Sequence, residues 1–327
     1  MPLVRDPALQ HLASLVPAVL AQARAPSTNK SYGLAYKRWR LWAQDYPEIS
    51  PLPASHLHVL LYLVHLDQTA TSFSTINLAV CAIKWAHGLA GLDSPTEHVM
   101  IIEALHGLRR KQAKPTVRKE GFTKVHVHQL INELDVSSVV DTRNTVLIVL
   151  AYFALLRVSE LINIKACDVI IWHDRLELVI PTSKCDQLRA GDKVLVAKLG
   201  GAFCPVELFC KYLQSVNIDV LSEIYDDQFV FRRFVPSAGK FVLIKKNVTM
   251  TYTRVREVVK AKAQQIGLDV SQYSTHSMRA GGATSAARAG VSERCLQRHG
   301  RWATSSSKNR YIEDSFESQL SVSKVLG

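Results

Sequence analysis

The feature that most constrains the fold is an apolar run from Val146 to Leu156 that ends at Arg157. A helix that is apolar on all sides is a buried helix, so other layers must surround this one. The pattern predicts helix over 139–164, with Arg157 where the apolar segment meets polar residues. A charge beside such a segment is costly unless it is paired, and Glu160 three residues later is a plausible partner, although it could equally be a solvated helix residue.

A second feature is the segment 274–311, in which His276 and Arg279 lie one helical turn apart. The small residues Ala280-Gly281-Gly282-Ala283 that follow predict a helix start lying close to another backbone. Tyr311 ends the segment among Ser, Lys and Arg residues, a poor setting for a core residue.

A tyrosine in such a setting is well suited to attack a phosphate. A phenol is a weak nucleophile at neutral pH and needs neighbouring cations and donors. Arginine is the best of these, because its planar fork can hold two phosphate oxygens at once.

The ordered set of motifs resembles the tyrosine recombinase (phage-integrase-type) family. Its members here are Arg157 with Glu160, Lys184 after a predicted strand, His276-x-x-Arg279, Trp302, and Tyr311 nine residues after Trp302. The resemblance covers about the last two-thirds of the chain. Trp302 within Gly300-Arg301-Trp302, where bacterial members more often have His, resembles the eukaryotic mobile-element (Crypton/DIRS-like) branch.

The resemblance implies a role for each residue, and each role has a plain structural alternative. Arg157 and Arg279 would clamp the phosphate oxygens, and Glu160 would hold Arg157. Lys184 would be the general acid, with Lys193 as a nearby alternative and a surface hairpin lysine as the plain interpretation. His276 would support a phosphate oxygen or assist transfer of the Tyr311 proton, and its plain alternative is a helix-capping histidine.

Trp302 would pack against the site and donate its indole N–H to the phosphate, or would simply be a core residue. Tyr311 would be the nucleophile. The rival tyrosines Tyr252 and Tyr273 do not follow the motif, and the spacing to Tyr311 selects Trp302 over His299.

The expected fold is mainly α with a small antiparallel β-sheet. Residues 1–112 predict a helical core-binding domain, 113–122 a linker, and 123–327 a mixed α/β catalytic domain. Strands are predicted at 168–173, 175–181 and 192–197, the last two forming a hairpin with Lys184 at its root, whereas 234–247 is predicted to be mostly loop. The resemblance implies that the two domains form a C-shaped clamp on DNA.

The charge balance favours a polyanionic partner. Lys plus Arg number 40 against 28 for Asp plus Glu, a net charge of +12, and cations that neutralise phosphates release condensed counterions. The candidate contacts with double-stranded DNA, each of which could instead be a solvated surface residue, are Lys30, Arg38, Ser74, Arg109, Arg110 and Lys111. No apolar run approaches the ~20 residues of a membrane span, and the six cysteines show no metal-ligand spacing, so neither a membrane, a metal nor a cofactor is expected.

These observations predict a site-specific DNA recombinase or integrase that integrates or excises a mobile element through a 3′-phosphotyrosyl intermediate. The alternatives are a type IB topoisomerase-like nicking enzyme and a non-catalytic DNA-binding protein derived from a mobile element. Apolar residues in 315–327 predict a short amphipathic tail helix, which packs on its own domain or, as the resemblance implies, passes to a neighbour in a homo-tetramer on two DNA sites. The expected location is the nucleus, or the nucleoid if the source is bacterial.

Overall fold

The computed structural model describes residues 4–115, 117–181, 191–222, 224, 227–237, 239–314 and 316–326. The chain divides into two compact units, Met1–Thr116 (unit 1) and Val117–Gly327 (unit 2). Most of the described residues are helical, and the strands form two small antiparallel sheets. The predicted fold class is thereby confirmed.

Unit 1 is built from helices alone among its described residues. They are α1 (Pro7–Gln22), α2 (Pro26–Gln44), α3 (His56–Thr69), α4 (Phe73–Ala90), a 3-10 turn (Pro95–Glu97) and α5 (Val99–Lys111). Its core contains Trp39, Tyr62, Ile76 and Ile83. Pro17 lies inside α1, which continues as a helix to Gln22.

Unit 2 alternates helices with short strands around the apolar run. Its elements are α6 (Lys124–Asn132), α7 (Val139–Phe153), α8 (Val158–Ile162), a 3-10 turn (Ala166–Asp168), β1 (Val169–Ile171), β2 (Arg175–Ile180), β3 (Asp192–Ala197), α9 (Pro205–Ser215), β4 (Phe234–Ser237), β5 (Lys240–Leu243), α10 (Tyr252–Gln265), α11 (Ser277–Arg288), α12 (Glu293–His299), α13 (Ser305–Asn309) and α14 (Phe316–Leu326). Every residue from Thr145 to Tyr152 is buried, so α7 is the all-round buried helix that its sequence predicts.

The helix predicted over 139–164 is in fact two helices, α7 and α8, with a sharp turn between them. Leu155 has a φ of 46°, and the N–H of Leu156 donates to the carbonyl of Ala151 at 3.2 Å. This left-handed residue ends α7, which redirects the chain and makes Arg157 the N-cap of α8.

The described strands form two separate antiparallel sheets. β1, β2 and β3 form an antiparallel sheet in that order, as predicted, and the segment that contains Lys184 lies outside the described residues. The prediction of loop over 234–247 is wrong, because β4 and β5 pair there, with Val235 opposite Val242. Gly239, with a φ of 75°, supplies the left-handed turn that such a hairpin needs.

Part of the segment predicted as a linker packs into unit 2. The N–H of Glu120 donates to the Gln272 carbonyl at 2.8 Å, and that of Phe122 to the Ser277 carbonyl at 3.0 Å. Phe122 is fully buried, since its ring belongs to the core of unit 2. Across the described part of the chain, no helix combines the length and the apolar character that crossing a membrane requires.

Candidate active site

The start of α11 is held against two backbone segments by glycines. A Cβ added at Gly281 would lie 2.6 Å from the Phe122 nitrogen and nearer still to its carbonyl oxygen. One added at Gly282 would lie 2.6 Å from Leu155 Cδ2 and nearer still to the Tyr152 carbonyl. The predicted close approach is confirmed, and it brings Arg279 to the end of α7.

Glu160 lies at the centre of a cluster of three arginines. Arg157 Nη1 donates to its Oε1 at 2.6 Å, while the Arg157 main-chain N–H donates to Oε2 at 2.8 Å. Arg301 Nη2 donates to Oε2 at 2.8 Å, and Arg279 Nη1 lies 3.7 Å from the same atom. Three guanidinium groups around one carboxylate leave the cluster positively charged, which makes it a place for an anion.

Burial raises the pKa of Glu160, but the charges of Arg301 and Arg157 and the main-chain N–H of Arg157 outweigh it, and the net result is a lowered pKa. Glu160 is therefore an anion at neutral pH. It can hold its arginines in place as a permanent counter-charge.

Arg279 is almost completely buried, at 1% exposure. Its Nη1 donates to the Leu155 carbonyl at 2.6 Å and its Nη2 to the Gly300 carbonyl. Burial, followed by repulsion from Arg157, lowers its pKa to about 10, so it stays charged at neutral pH. Among the described atoms its Nε–H has no acceptor.

Tyr311 packs against Arg279 and Trp302 after the short helix α13. Its ring lies 5.2 Å from Arg279 Cζ and 5.5 Å from the Trp302 ring centroid. Trp302 is in turn 4.5 Å from Arg279 Cζ, and its buried indole N–H has no acceptor in the part of the chain described. The His276 ring centroid is 6.3 Å from that of Tyr311, so four predicted site residues meet at one place.

The residues that compete with Tyr311 and Trp302 in the sequence make hydrogen bonds to other parts of unit 2. The Tyr273 hydroxyl donates to Glu120 Oε2 at 3.0 Å, and burial, followed by that hydrogen bond, raises its pKa to about 12. The Tyr252 hydroxyl pairs with Thr275 Oγ1 at 2.7 Å. His299 Nε2 bonds the Phe153 carbonyl at 2.8 Å and faces the end of α7.

Two cavities border the site. One of about 300 Å³ is lined by Tyr311 and His276 together with Arg118, Lys119 and Arg310. The other, a cleft of about 1100 Å³ between β3 and α12, is lined by a larger group of residues. They include Lys193, Arg294, Arg298, Arg301 and Trp302.

Lys184 is outside the described residues, and Lys193 Nζ is 2.6 Å from Glu177 Oε1. The predicted DNA contacts of unit 1 are all exposed, and they are Lys30, Arg38, Ser74, Arg109, Arg110 and Lys111. Lys111 Nζ lies 2.5 Å from Asp67 Oδ2, so part of its charge is already compensated.

Several residues of the site were not predicted from the sequence. Arg301 is buried, and the only sequence signal that could have marked it is its position directly before Trp302. Arg310 stands next to Tyr311 and had the same kind of signal. Lys308, 1% exposed and 2.9 Å from Glu293 Oε2, fixes α13 on α12, and nothing in its sequence context marks it.

Within the described ranges, no group of three or more His, Cys, Asp or Glu side chains is arranged to hold a metal ion.

The chain matches the model of the phage integrase family over residues 121–318. It is also 26% identical over 298 residues to an integrase/recombinase XerD homolog of Selenomonas ruminantium, covering 90% of this chain and 83% of that protein. The chain belongs to the phage integrase family, the site-specific tyrosine recombinases, whose members are DNA strand transferases.

Solved structures share the fold at low identity. The XerH site-specific recombinase bound to its palindromic difH substrate, in a post-cleavage complex, matches with a TM-score of 0.58 at 13% identity, over 91% of this chain and 79% of that one. A lambda integrase dimer bound to a COC′ core site matches with a TM-score of 0.57 at 13% identity, over 93% of this chain and 95% of that one.

Proposed function

We propose that the chain is an active DNA recombinase in which Tyr311 is the nucleophile. The observation that carries this is the meeting of Tyr311 with Arg279, Trp302 and His276 beside a positively charged cluster. A phosphodiester placed there would be attacked by the phenolic oxygen. The P–O5′ bond breaks and a 3′-phosphotyrosyl link forms. The phenolic proton passes to His276, whose ring lies beside that of Tyr311, and the 5′-oxygen leaves with a proton from the general acid.

Each group has a task in this reaction. Arg157 and Arg279 bind the non-bridging oxygens, whose negative charge grows in the transition state. The unpartnered donors Trp302 Nε1–H and Arg279 Nε–H match acceptors that a phosphate would bring, because a buried donor without a partner costs free energy. Lys184 is proposed as the acid that protonates the leaving oxygen. Attack by the 5′-hydroxyl of a partner strand reverses the step and conserves the bond energy.

DNA is held by both units in this proposal. The exposed cations of unit 1 and the cations beside Tyr311 bind phosphates. The Trp302-containing motif supports a role in the movement of a mobile element of the Crypton/DIRS-like branch. On that basis the proposed location is the nucleus.

The tail supports assembly into a tetramer. Three of its apolar side chains are exposed, with Leu320 at 38%, Val325 at 86% and Leu326 at 82%, so α14 leaves apolar surface for a partner. Unit 2 carries an apolar cavity of about 460 Å³ lined by residues that include Tyr152, Phe153, Leu199 and Phe203. A tail passed to the next protomer would close a ring of subunits on two DNA sites.

A nicked suicide substrate tests the proposal, because cleavage next to a nick releases the short strand and traps the covalent complex. The wild-type chain is expected to give a protein–DNA adduct on a denaturing gel, with EDTA present. Tyr311→Phe is expected to bind DNA with unchanged affinity and to give no adduct. Tyr252→Phe, which removes a hydroxyl bonded to Thr275, is the matched control and should react like wild type.

The outcomes separate the alternatives. An adduct in Tyr311→Phe would move the nucleophile to another residue. Absence of an adduct with the wild-type chain on any target would favour a non-catalytic DNA-binding protein. Relaxation of supercoiled DNA without strand exchange between two sites would favour the topoisomerase-like activity.

A further inference from the structure

Arg301 occupies a backbone position that normally belongs to glycine. It follows the C-cap Gly300 of α12 and has a φ of 53°. Its N–H donates to the Arg298 carbonyl at 3.0 Å, and the N–H of Trp302 donates to the Gln297 carbonyl at 3.1 Å. This pair of hydrogen bonds is the Schellman motif, whose left-handed residue is usually Gly because a Cβ disfavours the conformation.

The Arg301 side chain is 2% exposed and is directed at protein acceptors. Its Nη2 donates to Glu160 Oε2 at 2.8 Å and to the Leu155 carbonyl at 3.2 Å. Its Nη1 donates to the His299 carbonyl at 3.0 Å. Both terminal nitrogens are thus bound to the protein, and this end of the guanidinium acts through the groups that it holds. The Arg301 Nε–H, like that of Arg279, has no acceptor among the described atoms.

The same groups also anchor Arg279, one of the two arginines proposed to bind the phosphate oxygens. The Leu155 carbonyl also accepts from Arg279 Nη1 at 2.6 Å, and that nitrogen lies 3.7 Å from Glu160 Oε2. If Arg301 were absent, Glu160 Oε2 would lose its side-chain donor. Arg279 would then be the nearest guanidinium that could replace it. A shift of Arg279 toward Glu160 would draw it off the Gly300 carbonyl and away from Tyr311.

We propose that Arg301 is a positioning residue, which occupies Glu160 Oε2 and shares the Leu155 carbonyl so that Arg279 stays beside Tyr311. The inference rests on the proposed DNA-cleaving function and adds a residue to it. It also explains why a long side chain stands where glycine would cost the backbone less.

The positioning role predicts a change in the pH dependence of DNA cleavage when Arg301 is removed. Burial raises the pKa of Glu160, and the Arg301 charge is the largest of the effects that lower it. Removal of Arg301 therefore raises that pKa, and the acid limb of DNA cleavage moves to higher pH. Arg157 and Arg279 also face Glu160 and remain charged throughout. His299, whose pKa is lowered mainly by burial, titrates in the acid range, so the shift should persist in a His299→Gln background.

Arg301→Gly is the decisive variant, because glycine suits the left-handed backbone, so that the whole side chain is removed without adding backbone strain. Asn217→Gly is the matched control. Asn217 is exposed, has the same φ of 53° and follows α9 with the same pair of hydrogen bonds, Asn217 N–H to Gln214 at 3.1 Å and Ile218 N–H to Leu213 at 3.0 Å. Both are compared with wild type by DNA affinity and by single-turnover adduct formation on the nicked substrate across the acid limb.

Arg301→Gly is expected to bind DNA as wild type does, to form the adduct at least about tenfold more slowly, and to show the shifted acid limb. Asn217→Gly is expected to match wild type in all three. Arg301→Lys should keep the wild-type acid limb but remain slow, because one ammonium cannot replace the planar fork.

Three results overturn the inference. If wild type forms no adduct, the proposed function fails and this inference fails with it. If wild type reacts and Arg301→Gly matches it in rate and acid limb, only the positioning role fails. If Arg301→Gly does not fold, Arg301→Lys decides, and a wild-type rate in that variant rejects the role.

Discussion

Glu160 shows how one residue can organise several others. Its two carboxylate oxygens accept from Arg157 and Arg301 and lie next to Arg279, so a buried anion fixes three buried or half-buried cations. The site needs the arginines charged and held in place against their mutual repulsion, and a fully bonded carboxylate meets both needs.

The clamp arginines are expected to act through shape as well as charge. Arg279→Lys keeps a positive charge but cannot bond the Leu155 and Gly300 carbonyls and a phosphate together, so cleavage should fall by about 10²–10³ with little change in DNA affinity. Arg288→Lys, at the exposed end of the same helix, is the control. Quench-flow measurement of adduct formation checks both, and a near wild-type rate for Arg279→Lys would remove this residue from the clamp.

Glu160→Gln tests the anion itself. Loss of the charge leaves the buried arginines uncompensated, and the free energy of unfolding at pH 7 should fall by about 3–5 kcal/mol. The pKa of Glu160 in the folded chain is below its ordinary value of 4.5, so its contribution is complete above that pH and is lost as the pH falls through the folded pKa. Denaturant unfolding of both proteins across this range should show the difference shrinking in acid; a pH-independent difference would contradict the assignment.

At the scale of elements, the site is assembled by two sharp turns and one close helix contact. Left-handed Leu155 separates α7 from α8, left-handed Arg301 ends α12, and the glycines of α11 let this helix touch the end of α7. Two of the three positive-φ residues other than glycine in the described ranges are Leu155 and Arg301. Strain of this kind persists where surrounding contacts hold it, and here those contacts are the site itself.

Gly281→Ala is expected to disrupt this assembly. The new Cβ would overlap the Phe122 backbone, which cannot rotate away as a side chain would, and the cost should be about 3 kcal/mol. Gly107→Ala in α5, where a Cβ meets nothing within 4 Å, is the same change in open space and should be neutral or stabilising by up to about 1 kcal/mol. Thermal unfolding of the two variants compares them, and equal stabilities would argue against the close approach.

At the scale of the whole molecule, function depends on more than one chain in the proposed mechanism. A single chain has one Tyr311, whereas strand exchange between two duplexes requires more than one cleavage. The exposed apolar side chains of α14 are one surface through which these copies could be coupled.

Deletion of 315–327 is therefore expected to leave single-site binding intact and to abolish paired-site assembly on native gels and in light scattering. Val325→Asp should have the same effect, because it places a charge on the apolar surface, whereas Ser323→Asp adds the same charge at a residue that is already polar. A truncated chain that still forms tetramers and recombines would show that the tail docks on its own domain or is dispensable.

The sequence by itself determined which helix is buried, where a second helix approaches another backbone, and to which family the chain belongs. The all-round apolar run required a buried α7, and the small residues after Arg279 required a close helix contact, since both follow from burial and sterics at fixed spacing. The ordered arginines, Trp302 and Tyr311 indicated the family.

Only the tertiary structure decided how these residues meet. The break at Leu155, the β4–β5 hairpin and the packing of Phe122 into unit 2 depend on contacts between segments distant in sequence, which local pattern does not encode. The role of Arg301 likewise depends on such contacts. The sequence marked its neighbour Trp302 as a site residue but did not mark Arg301. A buried arginine is stable only when acceptors converge on it, and Glu160, Leu155 and His299 are brought to it by the fold.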